Sequence, residues 1–256
     1  MIKNFAVATR FYGLSKTDLD RLVNWIETAL KIVEQERIFI AIRKEIDLSG
    51  SYEFVSKNYP KINIFQVTPW GKVVQAPNAL LIKCAEKKID HVLFISTEYE
   101  LTSDIVNLLK MHFDDKTLVV GVSLPGHKIR MSPKKVSLIK NANGLEIPWN
   151  TYALWSVRHL MHTGFVLVAD SLHDPDNAGM EEMGTIAVQQ ILWPKRALAK
   201  LVMLKRDNLV FNTKGWTIKR HERYLKNLKS KNTRASQQLK KLVVSAPKVL
   251  HIGLKS

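Results

Sequence analysis

Apolar and polar positions alternate along most of the chain in a pattern that predicts strands and helices in turn. Short apolar runs are followed by segments in which apolar residues recur at helical spacing. The predicted strands are 5–9, 38–42, 62–67, 91–95 and 117–123, and the predicted helices are about 15–33, 52–58, 77–88, 102–113, 151–162 and 181–192. This alternation is typical of an α/β fold with a parallel or mostly parallel sheet flanked by helices.

One stretch, from Asn78 to Leu101, indicates where a site lies. A helix with an apolar face leads into the apolar run 91–95, which ends abruptly in Ser96-Thr97-Glu98-Tyr99-Glu100. A short continuous apolar run is expected for a strand that is buried on both faces of a parallel sheet. Ligands of open α/β sheets bind at the carboxyl ends of the strands, so the sequence predicts a site at this polar and acidic segment.

The pattern changes after Pro194. The sequence predicts a helix at about 196–205, a strand or hairpin at 209–218 and a basic helix at 219–243. We therefore expect a main α/β domain over 1–194 and a basic, mainly helical C-terminal extension over 195–256. Five apolar residues of the last helix follow a spacing of three or four and form a stripe, namely Leu225, Leu228, Ala235, Leu239 and Leu242.

The positive charge is concentrated in this extension. The chain has 39 Lys and Arg against 23 Asp and Glu, and residues 195–256 hold 17 of the former but only two of the latter. Such asymmetry suggests a polyanionic partner, which is an anionic membrane surface, an acidic glycan or a nucleic acid. The alternative is a solvated basic face. The apolar stripe would lie in a lipid interface, dock on the main domain or pair with a second copy as a homo-oligomer.

The cysteine content and the targeting patterns of the sequence bear on where the protein is located. Cys84 is the single cysteine and falls inside a predicted helix, which indicates a core residue in a reducing compartment. The N-terminus shows no signal-peptide pattern, and no apolar run approaches the roughly 18 residues of a membrane span. We expect a cytoplasmic protein, or one held peripherally at the inner membrane surface. Motifs of P-loop kinases, dinucleotide-binding dehydrogenases, serine hydrolases and zinc fingers are absent from the sequence.

The helix and strand around Asn78 and Ser96-Thr97-Glu98 resemble the core of glycosyltransferase family 2 and the wider GT-A fold. In that family the strand ends in Asp-x-Asp, which holds a divalent metal and the sugar nucleotide. Here a carboxylate remains only at the third position. The resemblance implies that Asn78, Ser96 and Glu98 bind the donor and that Glu98 holds Mg²⁺ or Mn²⁺, since one carboxylate together with substrate phosphates suffices for Mg²⁺.

A second stretch is similar to the acceptor side of the same family. Residues 152–165 end in Gly164-Phe165, as the acceptor-side helix of that family typically does, and an acidic pair follows at Glu181-Glu182. In inverting members the second acid removes the proton of the acceptor hydroxyl, a role that falls on Glu182 here. A carboxylate within reach of the hydroxyl is typically worth roughly 10²–10⁴ in rate. The alternative is that both acids only stabilise the first turn of a helix.

Further residues are assigned to the site by their positions. On the donor side they are Thr9, Arg10, Phe11, Glu45, Asp47 and Lys72, and on the acceptor side Trp149 and Asp176. The end of the second strand is where the family contacts the nucleobase, and the end of the first strand would form the facing wall. Lys72 would meet the diphosphate, Trp149 would stack on a sugar, and Asp176 would lie over the acceptor or add a metal ligand. Each of these residues also fits an ordinary loop or core position.

The resulting hypothesis is a glycosyltransferase that moves a sugar from a nucleotide-diphosphate donor to a hydroxyl acceptor, either a glycan or a lipid-linked molecule. Two alternatives belong to other classes. One is a catalytically silent GT-A-like binding or scaffold protein, which the loss of the first Asp of the metal motif suggests. The other is a binder of nucleic acid or another polyanion through the basic extension, although few aromatic residues there are available to stack on bases.

Overall fold

The computed structural model describes residues 2–45, 47–130, 136–171, 174–204 and 209–253. Its strands are β1 (Phe5–Phe11), β2 (Ile38–Arg43), β3 (Asn63–Val67), β4 (His91–Ile95), β5 (Thr117–Val122), β6 (Val136–Ile139), β7 (Tyr152–Ser156), β8 (Leu198–Val202) and β9 (Val249–Ile252). Its helices are α1 (Lys16–Leu30), α2 (Ser51–Asn58), α3 (Gln75–Glu86), α4 (Ser103–Met111), α5 (Val157–Leu160), α6 (Glu181–Leu192), α7 (Ile218–Lys229) and α8 (Lys231–Leu242).

The strands of the described ranges form one sheet in the order β3-β2-β1-β4-β7-β5-β8-β9-β6. Strands β1 to β4 pair in parallel, whereas β7 runs antiparallel between β4 and β5 and β6 runs antiparallel to β9. The central strands are buried, with Ala6, Val7 and Ala8 fully inaccessible to solvent, because helices flank the sheet. The predicted α/β fold with a mostly parallel sheet is confirmed.

Two predicted helices are wrong and are strands instead. Residues 152–156 form β7, with the one-turn helix α5 behind it, and residues 198–202 form β8. All five residues of β7 are buried between β4 and β5, so the segment has no polar helical face, and a short apolar run of this kind fits a buried strand as well as a helix. In β8, Lys200 interrupts the apolar run, but its side chain is buried and its ammonium donates to Asp114 Oδ2 and His112 O, each at 2.7 Å.

The segment after residue 194 is more closely joined to the sheet than the sequence suggested. Strands β8 and β9 both come from it, so the sheet continues beyond the expected boundary between the main domain and the extension. The predicted strand or hairpin at 209–218 is also wrong in its described residues, where a single isolated bridge joins Phe211 to Tyr99. The predicted basic helix 219–243 is divided at Ser230 into α7 and α8.

Helix α8 docks on the rest of the protein. A Cβ atom added to Gly144 would lie 2.6 Å from the carbonyl oxygen of Lys231, so only glycine allows the backbones to approach this closely. Ala235 of the apolar stripe is buried, Leu228 and Leu239 pack against the core, and Leu225 remains 52% exposed. Most of the stripe is therefore used inside the molecule. None of the helices in the described ranges combines the length and apolar character that a membrane crossing requires.

Candidate active site

A cavity of about 360 Å³ lies where the carboxyl ends of β1 and β4 meet. These adjacent strands lie on either side of the point where the strand order reverses, which is the usual ligand position in open α/β sheets. The start of α6 and the segment before β7 form further walls, and α7 and α8 cover the cavity. Seven residues assigned to the site from the sequence line it: Thr9, Arg10, Ser96, Glu98, Trp149, Glu181 and Glu182.

The acidic pair lies in the first turn of α6, which begins at Glu181 as predicted. Both carboxylates are 4% exposed. Asn150 holds them in place, since its backbone amide donates to Glu182 Oε1 at 2.6 Å and its side-chain amide donates to Glu181 Oε1 at 3.1 Å. The second oxygen of Glu182, Oε2, finds no hydrogen-bond partner within the described part of the chain. A carboxylate that lines a cavity and has an unused oxygen has the chemistry of a proton acceptor.

Burial, reinforced by the negative charge of Glu181, raises the pKa of Glu182 from 4.5 to about 7. The positive charge of Lys231 and the amide of Asn150 act in the opposite direction but do not outweigh burial. A carboxylate whose pKa lies near neutrality is better suited to take up a proton during a reaction than an ordinary surface glutamate.

The backbone before α6 is held in an uncommon conformation that sets the direction of this helix. Gly179 has a φ of 110° and Met180, a residue with a side chain, has a φ of 67°. Helix α8 fixes both peptide groups, because Arg234 donates to Ala178 O at 2.7 Å and Gln238 donates to Gly179 O. Left-handed backbone at a non-glycine residue costs free energy and persists only where surrounding contacts enforce it. Helix α8 supplies those contacts.

Lys231, the first residue of α8, brings a positive charge into the cavity. Its ammonium lies 3.7 Å from the centre of the Trp149 ring and 3.5 Å from Met180 Sδ. Trp149 is itself buried, with its other face stacked on His127 and its indole nitrogen donating to Gly144 O at 2.8 Å. Burial lowers the pKa of Lys231 to about 8, although the charges of Glu182 and Glu181 act in the opposite direction. The cavity therefore holds a carboxylate and an ammonium that both lack a full set of partners.

Glu98 lies at the cavity edge, but its carboxylate is already occupied. Oε1 accepts from Arg220 Nη2 at 2.6 Å and from Arg21 Nη1 at 3.5 Å, and Ser96 Oγ donates to Oε2. Asp18 completes the group, since Arg21 and Arg220 both donate to its Oδ1 at 3.0 Å. Two acids and two arginines thus form a network that is neutral overall.

This network does not fit the metal site expected at Glu98. A divalent cation would have to share the carboxylate with the guanidinium of Arg220, which carries the same sign of charge. Within the described ranges, no three His, Cys, Asp or Glu side chains are grouped as metal ligands. The residues around Glu98 therefore do not fit a divalent metal ion.

Other residues assigned from the sequence lie outside the cavity lining. Asp47 accepts from the amides of Ser51 and Tyr52, at 3.0 and 2.8 Å, and thereby caps α2. Glu45 accepts from Thr68 Oγ1 at 2.8 Å at the sheet edge. Asp176 is exposed and lies 3.7 Å from Lys226 Nζ.

Asn78, Lys72 and Phe11, which the sequence assigned to the donor side, make contacts that support the fold instead. The side chain of Asn78 makes two hydrogen bonds to the backbone of Phe165, at 2.7 and 2.9 Å. The backbone amide of Lys72 donates to the buried carboxylate of Asp170. Phe11 is buried, with its ring against Gly13. None of the three borders the cavity as the structure describes it.

Three cationic residues of the site were not identified from the sequence, namely Arg220, Lys231 and Arg234. All lie in the C-terminal segment, more than 30 residues beyond the acidic pair. The signal for them was the concentration of positive charge, which suggested a partner at the surface. Part of that charge instead faces the cavity and the carboxylates that line it.

Comparison with known proteins supports the architecture. None of the known family profiles matches the chain, and no curated protein sequence matches it. Among solved structures, the mannosyltransferase PcManGT from Pyrobaculum calidifontis, in complex with GDP-Man and Mn²⁺, matches with a TM-score of 0.57 and 12% identity. The match covers 94% of this chain and 64% of that one. The fold is GT-A-like.

Two other matches are more distant. Residues 1–349 of TarS from S. aureus give a TM-score of 0.48 and 12% identity, covering 82% of this chain and 60% of that one. The 4-diphosphocytidyl-2C-methyl-D-erythritol synthase from Anaerococcus prevotii gives a TM-score of 0.47 and 13% identity, covering 88% and 95%. The chain thus spans less than two thirds of the length of the two transferase chains, and identities this low concern the fold alone.

Proposed function

We propose that the protein is a glycosyltransferase that moves a sugar from a nucleotide-diphosphate donor to a hydroxyl acceptor, with Glu182 as the general base. The observation that carries this proposal is the position of Glu182, a buried residue in the lining of a ligand-sized cavity whose Oε2 has no hydrogen-bond partner among the described residues. The GT-A-like fold and the placement of the cavity at the carboxyl ends of β1 and β4 support the same reaction class. The volume of about 360 Å³ lies within the range of small-molecule sites.

In the proposed reaction the acceptor hydroxyl donates a hydrogen bond to Glu182 Oε2. The acceptor oxygen forms a bond to the anomeric carbon, its proton passes to Glu182, and the bond from that carbon to the diphosphate breaks. The electron pair of the broken bond remains on the diphosphate oxygen. Asn150 keeps the carboxylate in place through Oε1, which leaves Oε2 for the proton. Such positioning of a base is worth roughly 10²–10⁴ in rate.

We assign the two substrates to different sides of the cavity. Thr9 and Arg10 at the end of β1, with Ser96 after β4, form the donor side. We place the acceptor beside the acidic pair. Trp149 borders this part of the cavity, but Lys231 and His127 occupy the two faces of its indole, so the stacking on a sugar that the sequence suggested is not open to it.

The decisive experiment compares wild type with Glu182→Gln, using UDP-, GDP-, CDP- and dTDP-linked sugars. Release of nucleoside diphosphate is measured with and without candidate hydroxyl acceptors, so that hydrolysis by water is also detected. We expect Glu182→Gln to bind donor normally but to lower turnover roughly 10²- to 10⁴-fold, because the amide keeps the shape and cannot accept the proton. Wild-type turnover should rise as the pH increases through about 7, where Glu182 loses its proton.

Glu222→Gln, a change at an exposed acid of α7, is the matched control and should be fully active. Unchanged turnover in Glu182→Gln would move the base to another group. Donor binding without any transfer or hydrolysis by wild type would instead favour the catalytically silent binding protein. A nucleic-acid complex that dissociates with salt would favour the polyanion binder.

A further inference from the structure

The cavity contains a positive charge that the proposed base does not use. The ammonium of Lys231 offers three donors, yet its contacts are the thioether of Met180 and the face of Trp149. No ion pair joins it to a carboxylate in the described part of the chain. Glu181 and Glu182 act on this charge without contacting it, and a partly desolvated cation with no contacting anion destabilises a fold unless a ligand supplies one. This arrangement indicates an anion that binds in the cavity.

Three neighbouring arginines do not compete for that role, whereas Arg10, which also lines the cavity and donates to Val73 O at 2.9 Å, would share the anion with Lys231. Each of the three guanidinium nitrogens of Arg234 already donates a hydrogen bond, to Ser230 Oγ, Ala178 O and Asn227 O. Arg220 and Arg21 are neutralised by Glu98 and Asp18. Arg234 therefore positions the start of α8, and Lys231 is the cation of α8 that is left for a ligand.

The position usually filled by a metal is closed by the same segment of the chain. The guanidinium of Arg220 lies 2.6 Å from the carboxylate that would hold the ion, and the four-residue network around Glu98 has no excess negative charge to attract one. A leaving diphosphate nevertheless needs a positive charge close to it, because charge develops on its oxygen as the bond to the sugar breaks.

We propose that Lys231 binds the diphosphate of the donor and stabilises the departing nucleoside diphosphate, so that neither binding nor transfer requires a divalent cation. The inference rests on the proposed function, in which Glu182 takes the proton at the opposite end of the same transfer. The donor diphosphate meets the ammonium, the acceptor hydroxyl meets Glu182 Oε2, and the substrates thereby supply partners to both unsatisfied groups.

The test measures binding separately from turnover. Wild type is titrated calorimetrically with UDP, GDP and inorganic pyrophosphate in EDTA, and again with Mn²⁺. We expect the affinity for the bound probes to be the same within about threefold in the two conditions. Lys231→Met keeps an unbranched side chain but removes the charge, and it should weaken binding roughly 10- to 100-fold, the scale of a hydrogen bond to a charged group. Lys231→Arg should recover part of the loss. Lys229→Met, at an exposed lysine of α7, is the control and should bind as wild type does.

A measurement on wild type keeps the test informative if Lys231→Met does not fold. Affinity for the nucleoside diphosphate should fall as the pH rises above about 8, because Lys231 then loses its proton. Binding that disappears in EDTA and returns with Mn²⁺ would overturn the proposal, as would equal affinity in Lys231→Met or no binding of any probe.

The two proposals can fail separately. Metal-free nucleotide binding that depends on Lys231, in a protein that transfers no sugar, would leave this inference standing and reject the glycosyltransferase. Sugar transfer that depends on Glu182 but requires Mn²⁺ would support the glycosyltransferase and reject the metal-free role of Lys231.

Discussion

Glu182 should reduce the stability of the protein above neutral pH, and Glu182→Gln should therefore stabilise it there. The carboxylate is 4% exposed, and burial and the charge of Glu181 raise its pKa from 4.5 to about 7. The native state consequently binds more protons than the unfolded state between these two values. Under that condition the free energy of unfolding falls as the pH rises. The loss of stability is absent below about pH 4.5, grows as the pH rises towards 7 and is complete above pH 7.

The size of this loss of stability follows from the shift in the pKa of Glu182. One pKa unit corresponds to 1.36 kcal/mol, so a rise from 4.5 to about 7 gives a penalty of about 3 kcal/mol at pH 8. Glutamine keeps the oxygen that accepts from the Asn150 amide and carries no charge. We expect the free energy of unfolding of Glu182→Gln to exceed that of wild type by about 3 kcal/mol at pH 8 and to equal it near pH 4.5. For a chain of this size, that gain corresponds to a rise in Tm of about 6–12 °C.

Urea denaturation of both proteins at several pH values between 4.5 and 8.5 would measure the difference. Glu222→Gln removes an exposed carboxylate and should show no comparable change with pH. A difference between Glu182→Gln and wild type that does not depend on pH would refute the reasoning, because a packing effect has no reason to follow the titration of a carboxyl. A variant less stable than wild type at pH 8 would show that the carboxylate has a stabilising partner.

Two further predictions concern other parts of the molecule. Asp18→Ala should lower the free energy of unfolding by about 3–5 kcal/mol, because it leaves Arg21 buried without its main partner, whereas Asp20→Ala on the exposed side of α1 should have little effect; equal losses in urea denaturation would contradict this. The C-terminal segment should bind anionic liposomes through exposed lysines and arginines of α7, so co-sedimentation should fall with salt and with the triple change Lys219→Glu, Arg223→Glu and Lys229→Glu. Equal binding to neutral liposomes would reject the anionic membrane surface as a partner. The cytoplasmic location and the homo-oligomer remain predictions.

The pH dependence of the Asp18 contribution has the opposite sign to that of Glu182. Burial alone would raise the pKa of Asp18, but hydrogen bonds from the Leu14 amide and Ser15 hydroxyl and the charges of Arg220 and Arg21 outweigh it and hold the pKa below 3.8. A depressed carboxyl pKa means that the stabilisation is present at neutral pH and is lost as the pH falls through the native value. Acid should therefore open the network at Glu98 and weaken the attachment of α7.

Local patterns predicted the elements whose signals are strong. The strand His91–Ile95 and the helix Glu181–Leu192 have the predicted bounds, because polar residues end the first and Pro194 follows the second. Helix α1 was predicted from about residue 15, and it begins at Lys16, with Ser15 as the N-cap that accepts a hydrogen bond from the Asp18 amide. In each case a few neighbouring residues determine the element, so the sequence is sufficient.

The errors occur where distant pairing decides the structure. Tyr152–Ser156 becomes a strand because β4 and β5 lie on either side of it, and Leu198–Val202 becomes a strand because β5 and β9 pair with it. Short strands β6 and β9 were not predicted at all, since four residues are too few for a periodic signal. Tertiary contacts override local preference in all of these segments.

The chemistry of the site could also not be predicted in full, because residues distant in the sequence complete it. The triplet Ser96-Thr97-Glu98 suggested a weakened metal site, and nothing within it indicates that Arg220, 122 residues further along the chain, bonds to its carboxylate. The excess charge of the C-terminal segment suggested an external partner, yet Lys231 lines the cavity and Arg220 neutralises one of its walls. Removing residues 219–256 would thus also remove β9, the cover of the cavity and the cation assigned to the diphosphate. Changes of single side chains, at Lys231 and Lys229 for example, are therefore needed to separate the chemistry of this segment from its role in the fold.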